Sequence, residues 1–289
     1  MKWRGRRQSE NIEDRRGARG GTVVGGGIGL LIIAVIIGLL GGDPMQVMQQ
    51  AQQRQAQVGA GQGGGQADPG EMSPRDIERG EFVSTVLADT EDVWSKLFED
   101  AGRQYELPTL QLFTQQTRSG CGVASSAAGP FYCPADKKVY LDTAFFDQLA
   151  QQLGAPGDFA QAYVIAHEVG HHVQNLLGKT GELDQLRSRV SQAEYNKYSV
   201  MLELQADFYA GVMFHHAQRQ KNILEPGDIE EGLRAAAAIG DDTLQKRSTG
   251  QANQETFTHG SSQQRVRWFM KGLETGDPSQ GDTFNARQL

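Results

Sequence analysis

Cysteine is scarce in this sequence, which has only Cys121 and Cys133 among its 289 residues. Eleven residues separate the two, whereas the cysteine pairs of zinc sites usually stand about two to four residues apart, so zinc ligation by thiolates is not expected. We predict a disulfide formed in an oxidising compartment, which would stabilise the fold by about 3 kcal/mol, mainly by restricting the unfolded chain. Two unrelated thiols are the alternative.

Positive charge is lacking over most of the chain. The formal net charge is -7, and the first nineteen residues carry seven Lys or Arg against three Asp or Glu, so +4 there leaves -11 for the remainder. A body this acidic argues against general binding to nucleic acid, whose phosphates attract basic surfaces. The sequence also has no phosphate-binding P-loop, so ATP is not expected to take part in its function.

Charged residues are absent between Gly20 and Gly42. We predict a single transmembrane helix at residues 21–42, because a helix of that length, at about 1.5 Å per residue, reaches across a bilayer core of roughly 30 Å. A cleaved signal peptide is the alternative, since the most apolar part, residues 28–40, is short. Because the basic residues precede the span, residues 1–20 are expected to form a cytoplasmic tail, with the body extracytoplasmic at the bacterial cytoplasmic membrane.

Large apolar residues are also nearly missing from residues 43–76, which are rich in Gln, Gly and Ala and are predicted to form a flexible linker. Residues 77–289 have ordinary globular composition and are predicted to form one domain. Apolar residues at three- and four-residue intervals in residues 82–98 indicate a helix, and residues 130–142 indicate a β-hairpin. The expected fold is α+β, mostly helical with a small antiparallel sheet.

A second long helix is predicted at residues 158–178. Asp158 is the expected N-cap, Gln161 completes a capping box, and Gly178 provides the stop. Apolar residues occur on more than one face of this helix, which predicts that it is buried.

Three ionisable residues interrupt this apolar helix, and they form the H-E-x-x-H pattern: His167, Glu168 and His171. Residues four apart lie on one helical face, so both imidazoles can reach one zinc ion, with Glu168 beside the water to be activated. The alternative is a pair of satisfied core histidines. The pattern on a buried helix of an exported chain favours zinc.

Catalytic zinc usually takes three protein ligands. A third histidine in the H-E-x-x-H-x-x-G-x-x-H extension is excluded, because Leu177 occupies that position. Glu203 is the best candidate, since it and Asp207 stand four residues apart among apolar neighbours, and Asp207 is expected to accept the spare N–H of a ligand histidine. Two solvated acids on a surface helix are the alternative. The weaker ligand candidates are Glu182, Glu194, His215 and His216.

Several motifs resemble those of one bacterial family, the neutral zinc metallopeptidases. They are HEVGHHVQ at residues 167–174, ELQADFYAG at 203–211 and FTHGSSQQRVRWF at 257–269. The likeness extends to WRGRRQSENIEDRRG at 3–17, GPFYCPADKKVYLD at 129–142 and EPGDIEEGLRAAAAIGDD at 225–242. The motif order is also similar to the wider gluzincin group, which has a zincin-like fold and includes membrane proteases combining H-E-x-x-H with E-x-x-x-D.

The resemblance implies an extracytoplasmic zinc peptidase. It implies zinc at His167, His171 and Glu203, with Glu168 as general base and Asp207 supporting a ligand.

Three further assignments are hypotheses. His259 is expected to hydrogen-bond the developing oxyanion, and a structural role in capping the helix that begins near Ser262 is equally open. Arg265 is expected to pair with an acid near the site. Residues 129–133 are expected to form an edge strand that pairs with an extended peptide, with the disulfide bracing the rim of the cleft.

The predicted function is therefore hydrolysis of peptide bonds by a membrane-anchored zinc endopeptidase, with Glu168 moving the proton. A zinc-containing binding or scaffold protein without catalysis is the main alternative, and hydrolysis of a non-peptide bond is a lesser one. Glu168 favours an enzyme, because a structural zinc site gains nothing from an acid beside its ligands. The sequence leaves the substrate and the oligomeric state open.

Overall fold

Helices make up most of the described chain, which comprises residues 1–16 and 72–289 in a computed structural model. The α-helices in these ranges are α1 (Pro74–Asp100), α2 (Ala144–Gln151), α3 (Asp158–Leu176), α4 (Lys179–Leu186), α5 (Gln192–Lys221), α6 (Asp228–Ala238), α7 (Asp241–Thr249) and α8 (Ser262–Thr275). Helix α1 begins just before the predicted domain boundary at residue 77, and Ser73 caps it by accepting from the backbone N–H of Asp76. The mostly helical α+β prediction is confirmed.

The transmembrane helix predicted at residues 21–42 lies outside the described residues, as does nearly all of the linker predicted at 43–76. Within the two described ranges, no helix combines the length and the apolar composition needed to cross a membrane.

The strands of the described residues are β1 (Ile12–Asp14), β2 (Thr109–Phe113), β3 (Gln116–Ser119), β4 (Gly122–Ser125), β5 (Phe131–Cys133) and β6 (Lys138–Asp142). Four of them form the main sheet, in the order β1-β2-β6-β5. Strands β5 and β6 form the predicted hairpin, and β3 pairs antiparallel with β4 in a separate ribbon.

The prediction of an antiparallel sheet was wrong for the main sheet, which is mixed. Strands β1, β2 and β6 run parallel, with Leu110 opposite both Ile12 and Val139. Parallel neighbours come from distant segments, so the turn signals that identify a hairpin cannot show them.

Residues 1–16, which the sequence analysis assigns to a separate tail, form one compact unit with residues 73–289. Besides the β1–β2 ladder, Asn11 Nδ2 donates to Glu91 Oε1 at 2.7 Å, and Arg7 Nη2 donates to Asp92 Oδ1 at 2.6 Å. Three of the basic residues that suggested a topology signal, Arg4, Arg6 and Arg7, therefore have acidic partners on α1.

Helix α3 is buried on almost every side, as its apolar pattern predicts. Its start differs from the prediction: the N-cap is Gly157, with φ +117°, and the Asp158 side chain makes no capping bond. Glu231 of α6 instead accepts from the backbone N–H of Phe159 at 3.2 Å. The helix ends before Gly178, whose φ of +84° is the left-handed conformation that glycine adopts most readily.

Candidate metal centre

Helices α3 and α5 are in close contact at Gly170. A Cβ atom at this position would lie 2.8 Å from the carbonyl oxygen of Ala206, which is too close for any side chain. The absence of a side chain at Gly170 therefore allows the two backbones to touch. This contact brings the face of α3 that carries the histidines against the face of α5 that carries Glu203.

The structure brings the three predicted ligands together. Nε2 of His167 lies 3.2 Å from Oε2 of Glu203, and Nε2 of His171 lies 3.5 Å from Oε1 of the same carboxylate. One potential ligand atom from each residue lies within 4.8 Å of the others. The side chains are largely buried, so few water molecules can compete for these atoms.

The other ring nitrogen of each histidine has an acceptor. Nδ1 of His167 lies 2.8 Å from Oδ1 of Asp207, and Nδ1 of His171 lies 2.9 Å from Oε1 of Gln174. A carboxylate and an amide oxygen only accept, so we assign the ring proton to Nδ1 in both histidines. Both Nε2 lone pairs then face Glu203. Two imidazole nitrogens and one carboxylate form a ligand set of catalytic zinc, so these residues fit that ion.

Asp207 is itself held by two buried residues, Arg265 and Tyr163, which are not among the three converging ligands. Arg265, only 2% exposed, donates from Nε to Oδ2 of Asp207 at 2.8 Å and from Nη2 to Oδ1 at 2.9 Å. The hydroxyl of Tyr163 donates to Oδ1 as well. The expectation that Arg265 pairs with an acid near the site is confirmed, whereas the sequence analysis missed Tyr163.

A second close helix contact explains how Arg265 reaches Asp207. At Gly211 of α5 a Cβ atom would lie 2.1 Å from the carbonyl oxygen of Phe269 on α8, and at Gly272 of α8 it would lie 2.0 Å from that of Phe208 on α5. The two backbones are therefore in direct contact.

Gln174 is a site residue that the sequence analysis missed. Its oxygen faces His171, and its Nε2 donates to the carbonyl oxygen of Leu202 at 2.7 Å and to Oε1 of Gln205 at 3.1 Å. Its amide thus connects one ligand histidine to the turn of α5 that carries Glu203. A polar residue one turn after His171 in an apolar helix was the available signal.

Buried carboxylates control the charge of the centre. Burial raises the pKa of Asp207, but the charges of Arg265 and His167 lower it by more, so the pKa falls to about 2. Burial also raises the pKa of Glu203, and the imidazoles of His171 and His259 outweigh this and hold it well below the usual value. Both groups are therefore carboxylates at neutral pH, and they stabilise positive charge between them, whether a proton or a metal ion carries it.

Glu168 and His259 line the same cavity of about 490 Å³ as the three ligands. Glu168 is buried, at 7% exposure, while the His259 side chain is half exposed. His259 does not cap helix α8, because Ser261 is its N-cap and forms a capping box with Gln264.

Asp241 orients the segment that carries His259. Its Oδ2 accepts from the backbone N–H groups of Thr258, His259 and Gly260 at 2.7, 2.6 and 3.0 Å, and its Oδ1 lies 3.2 Å from Nδ1 of His259. Asp241 stands 18 residues before His259, and no spacing pattern in the sequence connects the two.

The weaker ligand candidates lie elsewhere. Glu182 pairs with Lys179 on α4, and Glu194 stands in the first turn of α5. His215 and His216 bind the backbone carbonyl oxygens of Leu273 and Gly276, each at 2.8 Å.

A second acidic cluster, formed by Asp158, Asp228 and Glu231, also has ligand-like spacing among the described residues. Two of its carboxylates accept from the Met1 ammonium group, at 2.6 and 3.2 Å. This contact accounts for the grouping of these acids without a second metal ion.

The predicted edge strand borders the cavity. Strand β5 is last in the order of the main sheet, and Gly129, Phe131 and Tyr132 line the cavity together with the ligands. The predicted disulfide between Cys121 and Cys133 is present and ties the end of β5 to the β3–β4 turn.

Known proteins resemble this chain over most of its length. A family model described as "Putative neutral zinc metallopeptidase" matches residues 1–284. The protein YpfJ of Escherichia coli K12 is 47% identical over 296 aligned residues, covering 98% of this chain and 99% of YpfJ. Rv2575 of Mycobacterium tuberculosis H37Rv is 47% identical over 207 residues, covering 68% of each chain. The names of these relatives state no activity, and no solved structure matches the chain.

Proposed function

The chain belongs to the neutral zinc metallopeptidase family, and we propose that it is a zinc-dependent endopeptidase. One observation carries the proposal: His167, His171 and Glu203 converge at one side of a cavity that Glu168 also lines. Three protein ligands leave a coordination position for water or substrate, which is typical of catalytic rather than structural zinc.

In the proposed mechanism, each residue has a separate task. Zinc, when bound, would polarise the peptide carbonyl and lower the pKa of a water molecule. Glu168 takes the proton of the attacking water and later delivers it to the leaving amine. His259 donates a hydrogen bond to the oxygen that becomes negative, and Asp241 holds its ring and backbone for that purpose. An extended substrate pairs with β5.

Metal analysis and digestion of an unfolded protein test this proposal. Purified protein is expected to contain one zinc ion per chain and to cleave casein, and a chelator is expected to stop cleavage until zinc is restored. His171→Ala should lose both zinc and cleavage, whereas His216→Ala, which alters a histidine outside the cavity, should retain both. Mass spectrometry of the products identifies the cleavage sites.

The alternative functions predict other results in the same assays. Zinc bound at full occupancy without cleavage of any peptide would favour the scaffold protein. Protein without zinc would contradict both proposals.

For its location, we propose that residues 1–16 and the body lie on the same side of any membrane that residues 21–42 contact. The β1–β2 ladder and the pairs of Arg7 with Glu91 and Asp92 support this, because both require direct contact. A cytoplasmic tail with an extracytoplasmic body would instead need a single crossing between the two. The disulfide supports an oxidising compartment for this unit.

Labelling of introduced cysteines distinguishes these topologies. Arg4 and Ile77 are exposed, so the thiols introduced by Arg4→Cys and Ile77→Cys should each be accessible to a membrane-impermeant maleimide. In intact spheroplasts that express the full chain, we expect both positions to be labelled to the same extent. Labelling at position 77 with protection at position 4 until the membrane is permeabilised would contradict the proposal and favour the single crossing.

A further inference from the structure

The hydroxyl of Tyr132 joins the edge strand β5 to the helix that carries the ligand histidines. Nδ2 of Asn175 donates to this oxygen at 3.0 Å, and Nδ1 of His172 lies 3.0 Å from it. Both partners belong to α3, within four residues after His171. One phenolic oxygen therefore connects the strand at one wall of the cavity with the helix at the other.

The direction of every bond in this connection follows from one backbone carbonyl. Nε2 of His172 lies 2.6 Å from the carbonyl oxygen of Glu106, which only accepts, so the ring proton is on Nε2. In the neutral ring Nδ1 is then an acceptor, and the Tyr132 hydroxyl donates to it while accepting from Asn175. From the sequence, His172 is expected to be no more than a neighbour of the ligands, but its ring is fully buried and both of its nitrogens have partners.

The position of β5 affects how an extended peptide would lie across the ligands. One edge of β5 pairs with β6, and in the described part of the chain its other edge has no strand partner. A peptide that pairs with this free edge must also bring its scissile carbonyl to the metal. Both contacts depend on the separation between β5 and α3, so a shift of the strand weakens the binding of a peptide that must make both.

We infer that Tyr132, His172 and Asn175 are positioning residues that set the width of the substrate cleft. This inference rests on the proposed peptidase function. It implies that their effect depends on substrate length, because only a peptide long enough to pair with β5 depends on where that strand lies. A purely structural contact would alter the cleavage of long and short peptides alike.

Tyr132→Phe tests the inference, since it removes the hydroxyl and keeps the ring. The substrates are a fluorogenic octapeptide that contains a cleavage site found in casein and a fluorogenic tripeptide with the same scissile bond. For the octapeptide, we expect KM to rise about fivefold, as loss of one hydrogen bond predicts, with kcat within about twofold of the wild type. For the tripeptide, kcat/KM should be unchanged, and zinc content should stay at one ion per chain.

Tyr140→Phe is the matched control. Its hydroxyl donates to Asp136 at 2.6 Å, so the variant also loses one hydrogen bond from the same sheet, but from a residue outside the cavity. It should leave both substrates unaffected. A second variant, Asn175→Ala, keeps the test decisive if Tyr132→Phe does not fold. It removes the hydrogen bond from Asn175 to the Tyr132 hydroxyl and should also raise KM for the octapeptide.

Two results would overturn the inference while the proposed function stands: wild-type kinetics of both Tyr132→Phe and Asn175→Ala, or an equal loss on the two peptides. A wild-type protein that binds zinc but does not cleave casein would instead remove the proposed function, and the inference with it.

Discussion

Glu168→Gln is expected to reduce peptide cleavage by about 10²–10⁴-fold, the usual contribution of general acid–base catalysis. Glutamine has nearly the same shape but cannot take a proton from the attacking water. Because Glu168 is not one of the three converging ligands, the variant should keep its zinc. Cleavage of casein and zinc content, measured on the same preparation, check both parts of this prediction.

The same assay includes a matched control and a second arm. Glu182→Gln makes the identical chemical change on the exposed helix α4, where the carboxylate of Glu182 pairs with Lys179. This variant should remain fully active. His259→Ala should lower kcat while zinc stays bound, because it removes a donor to the oxyanion. Unchanged turnover of His259→Ala would contradict that role, and unchanged turnover of Glu168→Gln would contradict the mechanism.

Asp207→Asn is expected to lower the free energy of unfolding by about 3–5 kcal/mol, because it leaves the buried guanidinium of Arg265 without its countercharge. The substitution is nearly isosteric, so the loss would reflect charge rather than packing. Urea denaturation of the wild type and the variant measures it. Zinc affinity should fall about 10–100-fold as well, since His167 loses the carboxylate that fixes its tautomer.

A double variant separates the ion pair from the site as a whole. Asp207→Asn combined with Arg265→Met removes both charges, so its loss of stability should be smaller than the sum of the two single losses. Additive losses would mean that the pair contributes little as a pair. A loss below about 1 kcal/mol for Asp207→Asn alone would show that Arg265 finds another partner or water.

The prediction of the N-terminal residues illustrates why a charge pattern can have two explanations. Basic residues before an apolar segment are typical of a cytoplasmic flank, and the sequence analysis interpreted them in that way. In the structure, Arg6 and Arg7 pair with Asp89, Glu91 and Asp92 of α1. A positive charge has the same appearance in sequence whether lipid headgroups or a distant carboxylate neutralises it.

The antiparallel-sheet prediction failed for a related reason. The β5–β6 hairpin was predictable because its strands are joined by a short turn. Strand β1 is separated from β2 by nearly a hundred residues of chain, and no local pattern records that pairing.

Local periodicity was enough to predict, from the sequence alone, which residues form the candidate metal centre. The helical repeat puts His167 and His171 on one face and spaces Glu203 and Asp207 in the same way, because residues four apart in a helix lie side by side. Tertiary structure decided the rest. The contact at Gly170 joins the two faces, Gln174 and Arg265 hold the groups behind the ligands, and Tyr132 reaches α3 from the edge strand. These contacts join segments far apart in the chain, so they depend on how whole helices pack, and helix packing is not contained in the spacing of neighbouring residues.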